Sequence, residues 1–268
     1  MAGTAALDDL GKTITAYWDG RAQTYSNGVR GELSDKRRCA WQRVLARVAN
    51  ATIARAIGEG RTPRALDLGC GPGFFSILLA DEGCAVSAVD MSAAMLERAR
   101  ANAAAAVPDA DIDFIQCDAS RLPFADATFD LAVSRNLTWL LRDPEGAYAE
   151  WLRVLRPGGK LVVFDANWYR YLVDDRVDAA RRRDQRETVL EDYDANSMAT
   201  DDQERRCERI AAELPLTSAH RPQWDVGVLV RLGAARVEVN EAVWQDLWTP
   251  SEQSFYASSP LFLIESYK

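Results

Sequence analysis

The stretch ALDLGCGPGFFSILLA, residues 65–80, is an apolar run that breaks at three glycines and then resumes. The glycines are Gly69, Gly71 and Gly73. Because glycine weakens the interior of a strand or a helix, this spacing predicts a turn between the two. We expect a ligand to come close to the backbone at that turn.

Neither common phosphate-binding pattern fits these glycines. A dinucleotide site needs G-x-G-x-x-G, and Phe74 stands where its third glycine would be. A P-loop needs Gly-Lys-Ser/Thr, and no lysine lies between Lys36 and Lys160. The sequence therefore indicates a ligand without phosphates and disfavours a nicotinamide dehydrogenase.

Two acids follow later apolar stretches of the chain. Asp90 ends AVSAVD, and Asp118 ends IDFIQCD. A carboxylate only accepts hydrogen bonds, so Asp90 suits the two hydroxyls of a ribose. Asp118 suits the exocyclic amine of an adenine. Together with the glycine turn, they predict a site for a nucleoside without phosphates.

Alternating strands and helices are predicted to position these residues. The strands lie in ALDLG, AVSAVD, IDFIQCD, TFDLAVSRN and KLVVFDAN, with a tight turn at RPGG before the fifth. Ser92 and Asp143 are predicted helix N-caps, and Gly83 and Gly233 predicted helix ends. This rhythm is typical of βαβ units in an α/β, doubly wound, mostly parallel sheet, here of seven strands.

Charge and composition limit the classes of binding partner and the location that the sequence predicts. The formal net charge is −8, which disfavours nucleic acid and anionic membrane surfaces. No apolar run is long enough to span a bilayer, and the N-terminus lacks the pattern of a signal peptide, so we expect a cytoplasmic protein. Five cysteines without a CxxC pair predict free thiols and no metal site. The oligomeric state is left open.

Five motifs in order resemble the class I S-adenosylmethionine-dependent methyltransferases. They are ALDLGCGPGFFSILLA, AVSAVDMSAAMLERAR, IDFIQCDASRLPFADATFDLAVSRN, WLRVLRPGG and KLVVFD, within about residues 64–166. Inside that family they are similar to the small-molecule group that contains the ubiquinone/menaquinone C-methyltransferases. The resemblance implies the family's Rossmann-like fold and S-adenosyl-L-methionine as the cofactor.

The resemblance also implies which residues hold that cofactor. They are Trp18, Tyr25, Asp67, Gly69, Gly71, Asp90, Met91, Asp118, Ala119 and Asn136. Asp90 would hold the ribose and Asp118 the adenine edge, while Asn136 would reach the methionine part or the substrate. Tyr25 would donate its hydroxyl to the methionine carboxylate, and Trp18 would cover the site. Core packing of a helix is the alternative for the two aromatic residues.

The predicted domain organisation follows from the alternation of strands and helices together with the resemblance. Residues 1–60 would form an N-terminal helical segment covering the cofactor, and residues 61–167 the cofactor-binding core. Residues 168–220 would form a helical insertion or lid after the fifth strand. Residues 221–268 would supply a helix and strands six and seven.

Aromatic residues after the fourth and fifth strands predict a substrate pocket. Trp139, Trp168 and Tyr169 would line it and accept a flat or cationic small molecule. His220, the single histidine, is a candidate general base, with a structural role as the alternative. Where many relatives carry a histidine, residues 137–139 read LTW, which weakens an acid–base role for that loop.

The predicted activity is methyl transfer from S-adenosylmethionine to a small-molecule acceptor by in-line displacement. Such a transfer needs mainly alignment and exclusion of water, so no catalytic residue is identified beyond the His220 candidate. A non-catalytic S-adenosylmethionine-binding protein, regulatory or scaffolding, is the alternative. The acceptor, and whether its O, N, S or C atom is methylated, are left open.

Overall fold

A computed structural model describes residues 9–34, 36–188 and 198–268. Seven strands form one sheet in the order β3-β2-β1-β4-β5-β7-β6. The strands are β1 Arg64–Leu68, β2 Ala85–Asp90, β3 Ile112–Gln116, β4 Phe129–Arg135, β5 Leu155–Asp165, β6 Arg236–Asn240 and β7 Phe262–Tyr267. Only β7 runs antiparallel to its neighbours. The predicted fold class is confirmed.

Helices cover both faces of the sheet. They are α1 Asp9–Ser34, α2 Lys36–Gly58, α3 Phe74–Asp81, α4 Ala93–Ala106, α5 Pro144–Val154, α6 Asp175–Glu187, α7 Asp201–Ala212, α8 Gln223–Arg231, α9 Trp244–Leu247 and α10 Pro250–Phe255. One apolar layer packs α2 and α3 on the sheet, and the other packs α5 and α8. None of these described helices is long and apolar enough to cross a membrane.

Burial explains why the central strands read as continuous apolar runs. β1 and β4 are buried along nearly their whole length, as expected for parallel strands covered on both faces. The edge strands β3 and β6 contain exposed and half-buried residues but no fully buried one. The strand order moves outward in one direction from β1 to β3 and in the other direction from β4 onward. A crevice therefore opens between the carboxyl ends of β1 and β4.

Several predicted helix ends are confirmed. The Ser92 hydroxyl accepts a hydrogen bond from the Met95 amide at 3.0 Å, and the Asp143 carboxylate accepts one from the Gly146 amide at 2.9 Å. Gly233 has a φ of 88°, the left-handed conformation that ends α8.

The predicted tight turn at RPGG is wrong. Residues 156–159 lie inside β5, where the pairing with β4 shifts register between Phe129 and Leu131. Gly158 has a φ of 73°, and its amide donates to the carbonyl of Lys268 at 2.8 Å. The glycines therefore allow a β-bulge, because the C-terminal strand supplies hydrogen-bond partners that local sequence cannot reveal.

Candidate functional site

The glycine turn follows β1 at the crevice. Gly69, Gly71 and Gly73 have φ values of 63°, 51° and 89°, which L side chains rarely adopt. A Cβ at Gly69 would lie 2.8 Å from a Leu137 methyl, and one at Gly73 would lie 3.3 Å from Ala99 of α4. At Gly71 the nearest atom would be 3.8 Å away. Contacts within the protein therefore already favour glycine at two of the three positions, and a ligand close to the backbone of this turn stays a prediction.

Asp90 fastens this turn to the end of β2. One carboxylate oxygen accepts from the Gly71 amide at 2.9 Å, and the other accepts from the Ser92 amide at 2.8 Å. The Ser92 hydroxyl in turn donates to Asp19 of α1 at 2.6 Å. Burial raises the pKa of Asp90 to about 6, against the opposing effect of the two amide donors. The carboxylate is thus held rigidly in place.

Asp118 is also held at both oxygens. They accept from the Ser120 amide at 2.8 Å and from the Arg142 guanidinium at 3.2 Å. The next carbonyl, that of Ala119, accepts from the buried Trp151 indole at 2.8 Å. This edge of the site is therefore fixed by α5 and by the loop that follows β4.

Asn136 lies where β4 ends, with a φ of 56°. Its carbonyl accepts from the Trp139 indole at 2.9 Å, so the indole stabilises this uncommon backbone conformation. Its side-chain Oδ1 is buried and has no hydrogen-bond partner among the described residues. Nε1 of Trp18, on α1, is in the same state. Unpaired buried polar atoms are costly, and these two border one cavity.

That cavity has about 860 Å³ of open space, including its mouth. Nine of the ten predicted cofactor-binding residues line it: Trp18, Tyr25, Gly69, Gly71, Asp90, Met91, Asp118, Ala119 and Asn136. Asp67 does not, because it is 2% exposed and accepts from the Ser76 hydroxyl of α3 at 2.6 Å. Burial raises the pKa of Asp67 to about 7.

A second, wider cavity adjoins the first, and we call it the aromatic groove. Trp139, Trp168 and Tyr169, the predicted substrate-pocket residues, all line it. Both cavities share four lining residues: Trp18, Tyr25, Arg135 and Asn136. The structure thus brings the predicted substrate residues, and all the predicted cofactor residues except Asp67, to two adjoining cavities.

His220 lies away from this site. It is exposed and lines neither cavity, and its carbonyl accepts from the Trp224 amide at 2.8 Å at the start of α8. This position favours the structural role over the candidate general base. In the sequence, His220 is the last residue of the predicted insertion.

Sequence reasoning missed Arg135, the last residue of β4. It makes a forked ion pair with Glu32 of α1 at 2.8 and 3.1 Å. Its guanidinium also lies 4.4 Å from the Trp41 ring centre and 4.6 Å from that of Phe74. An arginine directly after the apolar letters LAVS was the available signal, since a buried strand seldom ends on an unpaired charge.

A buried network behind the site also escaped the sequence. The Arg221 guanidinium, 1% exposed, pairs with Asp165 at 3.1 Å and with Asp225 at 2.9 Å. Thr138 donates to the same Asp165 carboxylate, and the Tyr148 hydroxyl donates to Asp225 at 2.7 Å. The network ties α8 and the end of β5 to the loop after β4, which carries cavity residues.

Comparison with known proteins gives this geometry a context. Residues 66–163 match the family described as "Methyltransferase domain". The chain is 36% identical to a demethylmenaquinone methyltransferase of Renibacterium salmoninarum over 161 residues, 59% of this chain and 61% of that protein. It is 41% identical to a malonyl-[acyl-carrier protein] O-methyltransferase of Enterobacter lignolyticus over 115 residues, 43% of each. The aligned part of the chain thus spans 61% and 43% of the length of these two relatives.

The fold is also found among solved structures. A Haemonchus contortus phosphoethanolamine N-methyltransferase 2 in complex with S-adenosyl-L-methionine superposes with a TM-score of 0.55 and 17% identity. The match covers 98% of this chain and 60% of that one. At this identity the likeness concerns the fold.

Proposed function

We propose that this chain is a class I S-adenosylmethionine-dependent methyltransferase that transfers a methyl group to a small-molecule acceptor, since residues 66–163 match the methyltransferase domain and its relatives are named as methyltransferases. The observation that carries the proposal is the junction of two cavities at Trp18, Tyr25, Arg135 and Asn136. One cavity has the lining expected for the cofactor, and the other is open to an acceptor. Transfer requires such a meeting point.

The first cavity suits S-adenosyl-L-methionine chemically. Asp90 and Asp118 supply acceptors for a ribose diol and an adenine amine. The unpartnered Oδ1 of Asn136 and Nε1 of Trp18 suit the amino and carboxylate groups of a methionine part. Tyr25, which packs edge-on against Trp18 at 5.5 Å, would donate its hydroxyl at the same end.

When bound, this cofactor supplies a methyl group on a sulfonium whose leaving group is a neutral thioether. The residues of the chain then have to align the acceptor and exclude water. Two backbone amides already fix the Asp90 carboxylate, and the Trp139 indole fixes the Asn136 backbone, so these parts of the cofactor cavity are held in place before binding. No step is assigned to His220, which lies outside the site.

Exclusion of water would fall to the N-terminal segment and the insertion. Within the described parts of 1–60 and 168–220, α1 and α7 share an apolar cluster that includes Ile14, Tyr17 and Ile210. The Arg21 guanidinium also donates to the Met198 carbonyl at 3.0 Å. Residues 1–8, 35 and 189–197 of these two segments lie outside the described residues. We infer that the two segments cover the site together.

Location and partners follow from charge and thiols. The five cysteines are free, which supports a cytoplasmic location. The net charge of −8 supports a small acceptor over nucleic acid. The relatives are named for demethylmenaquinone and for malonyl-acyl carrier protein, so both kinds of acceptor belong in an assay.

The test is release of S-adenosylhomocysteine from S-adenosylmethionine by purified protein with an acceptor panel that includes these two. Acceptor-dependent release supports the proposal. Binding of both cofactor forms without release across the panel would favour the alternative, a non-catalytic cofactor-binding protein. Trp168→Ala should raise the KM of the acceptor while the Kd of the cofactor stays within about twofold, since Trp168 lines only the groove.

A further inference from the structure

The charges that line the aromatic groove cancel one another. Four arginines and four glutamates are its charged lining residues among those described: Arg21, Arg37, Arg135, Arg181, Glu32, Glu204, Glu208 and Glu252. Arg135 pairs with Glu32, Arg37 lies 3.6 Å from Glu252, and the Tyr171 hydroxyl donates to Glu208 at 2.8 Å. The groove therefore has no net formal charge with which to select an ion.

Aromatic rings supply much of the apolar wall of the groove. Trp168 packs against Trp248 and Tyr256, with ring centres 6.3 and 5.8 Å apart, and Trp248 lies 5.6 Å from Tyr256. Trp139 and Tyr169 form a second pair at 4.7 Å on the side of β4. Aromatic walls of this kind favour a flat, apolar molecule.

Among the five aromatic residues just named, Trp168 has an indole N–H without a hydrogen-bond partner. Nε1 of Trp168 is buried and has no hydrogen-bond partner among the described residues. Trp168 does not line the first cavity, so the cofactor does not account for this donor. A buried N–H without a partner is costly, and a ligand oxygen that reached it would recover that cost. Side-chain rotation on ligand entry, common at binding sites, would present it.

From these observations we propose that the methyl acceptor is a flat, uncharged molecule with an oxygen that accepts a hydrogen bond from Trp168. That the ligand is the methyl acceptor rests on the proposed function. The preference of the groove for such a ligand does not depend on it. The proposal narrows the expectation of a flat or cationic ligand, because Glu32, Glu252 and Glu208 already have side-chain partners and the lining has as many arginines as glutamates. Trp168 is thus the specificity residue of the groove.

The experiment uses four probes that share a naphthalene frame: naphthalene, 2-acetylnaphthalene, 2-naphthoate and 2-naphthyltrimethylammonium. Their Kd values are measured with the full chain, with and without S-adenosylhomocysteine. We expect 2-acetylnaphthalene to bind about tenfold more tightly than naphthalene, the gain of one hydrogen bond. The anion and the cation should bind more weakly than 2-acetylnaphthalene.

Trp168→Phe keeps an aromatic ring and removes the N–H. It should abolish the preference for the acetyl group while naphthalene binding stays within about twofold. Trp248→Phe removes another indole N–H from the same groove and is the matched control, so it should leave the preference intact.

Three results would overturn the inference: tightest binding of the ammonium probe, no binding of any probe, or an unchanged preference in Trp168→Phe. The proposed function fails separately, when S-adenosylhomocysteine itself does not bind. In that case the probe series without S-adenosylhomocysteine still decides whether the groove has the stated preference.

Discussion

The carboxylate of Asp90 accepts a hydrogen bond from the amide of Gly71 at 2.9 Å, so the end of β2 holds the turn that follows β1. This contact places a charged hydrogen-bond acceptor and a glycine backbone on the same wall of one cavity. The carboxylate therefore holds the glycine turn in place and would also bind the proposed ribose. These two roles can be separated experimentally.

Asp90→Ala should weaken S-adenosylhomocysteine binding by more than tenfold, because hydrogen bonds to a charged group contribute about 1.5–3 kcal/mol. Asp90→Asn retains one acceptor oxygen and should lose less. Calorimetric titration gives both Kd values. Thermal unfolding of each variant without ligand is the control, since a collapse of the turn would also appear there.

The pH dependence of binding should report the same carboxylate. Burial places its pKa at about 6 in the ligand-free protein, and a ribose hydroxyl donates to the charged form. Affinity should therefore fall as pH drops below about 6 and level off above about 7. Titrations between pH 5 and pH 8 measure the profile. Asp90→Asn should flatten it, and an equally steep profile in that variant would assign the dependence to another group.

Stability should depend strongly on Arg221. Arg221→Met leaves Asp165 and Asp225, both buried, without their guanidinium, and loss of one partner of a buried pair costs about 3–5 kcal/mol. Arg231→Met breaks a pair with Glu145 that is more than half exposed, and it should cost less than about 1 kcal/mol. Urea unfolding compares the two variants. Equal losses of unfolding free energy would show that the buried network contributes no more to stability than an exposed ion pair.

Gly73 and Gly83 separate backbone strain from close packing. Both have positive φ, 89° and 79°, so an alanine at either should cost about 1–2 kcal/mol. A Cβ at Gly73 would also meet Ala99 at 3.3 Å, whereas one at Gly83 would meet nothing within 4 Å. The free energy of unfolding should thus fall further in Gly73→Ala. Equal losses in the two variants would mean that α4 moves away at no cost.

The sequence predicted the fold well wherever local chemistry decides it. Buried parallel strands give apolar runs, and caps such as Ser92 act on amides within three residues. It failed at Gly158, because the partner of that bulge is the far C-terminal residue Lys268. Distant pairing also hid the Arg221 network, whose members come from separate segments that only the folded chain unites.

For the site, strand-end acids were predictable because the carboxyl ends of parallel strands share one edge of the sheet. The ion pair of Arg135 was not predictable, since its partner Glu32 lies 103 positions away in the sequence. Asp67 lies at the right strand end but is turned inward to Ser76. Spacing alone cannot show which way such a side chain turns.

Calorimetric titration of the purified protein is the most direct test of whether the cavity beside Gly71 and Asp90 accepts an adenosyl group without phosphates. S-adenosylhomocysteine and S-adenosylmethionine should both bind, and NADH should give no heat. Tight binding of NADH with no response to either adenosyl compound would contradict this interpretation of the site.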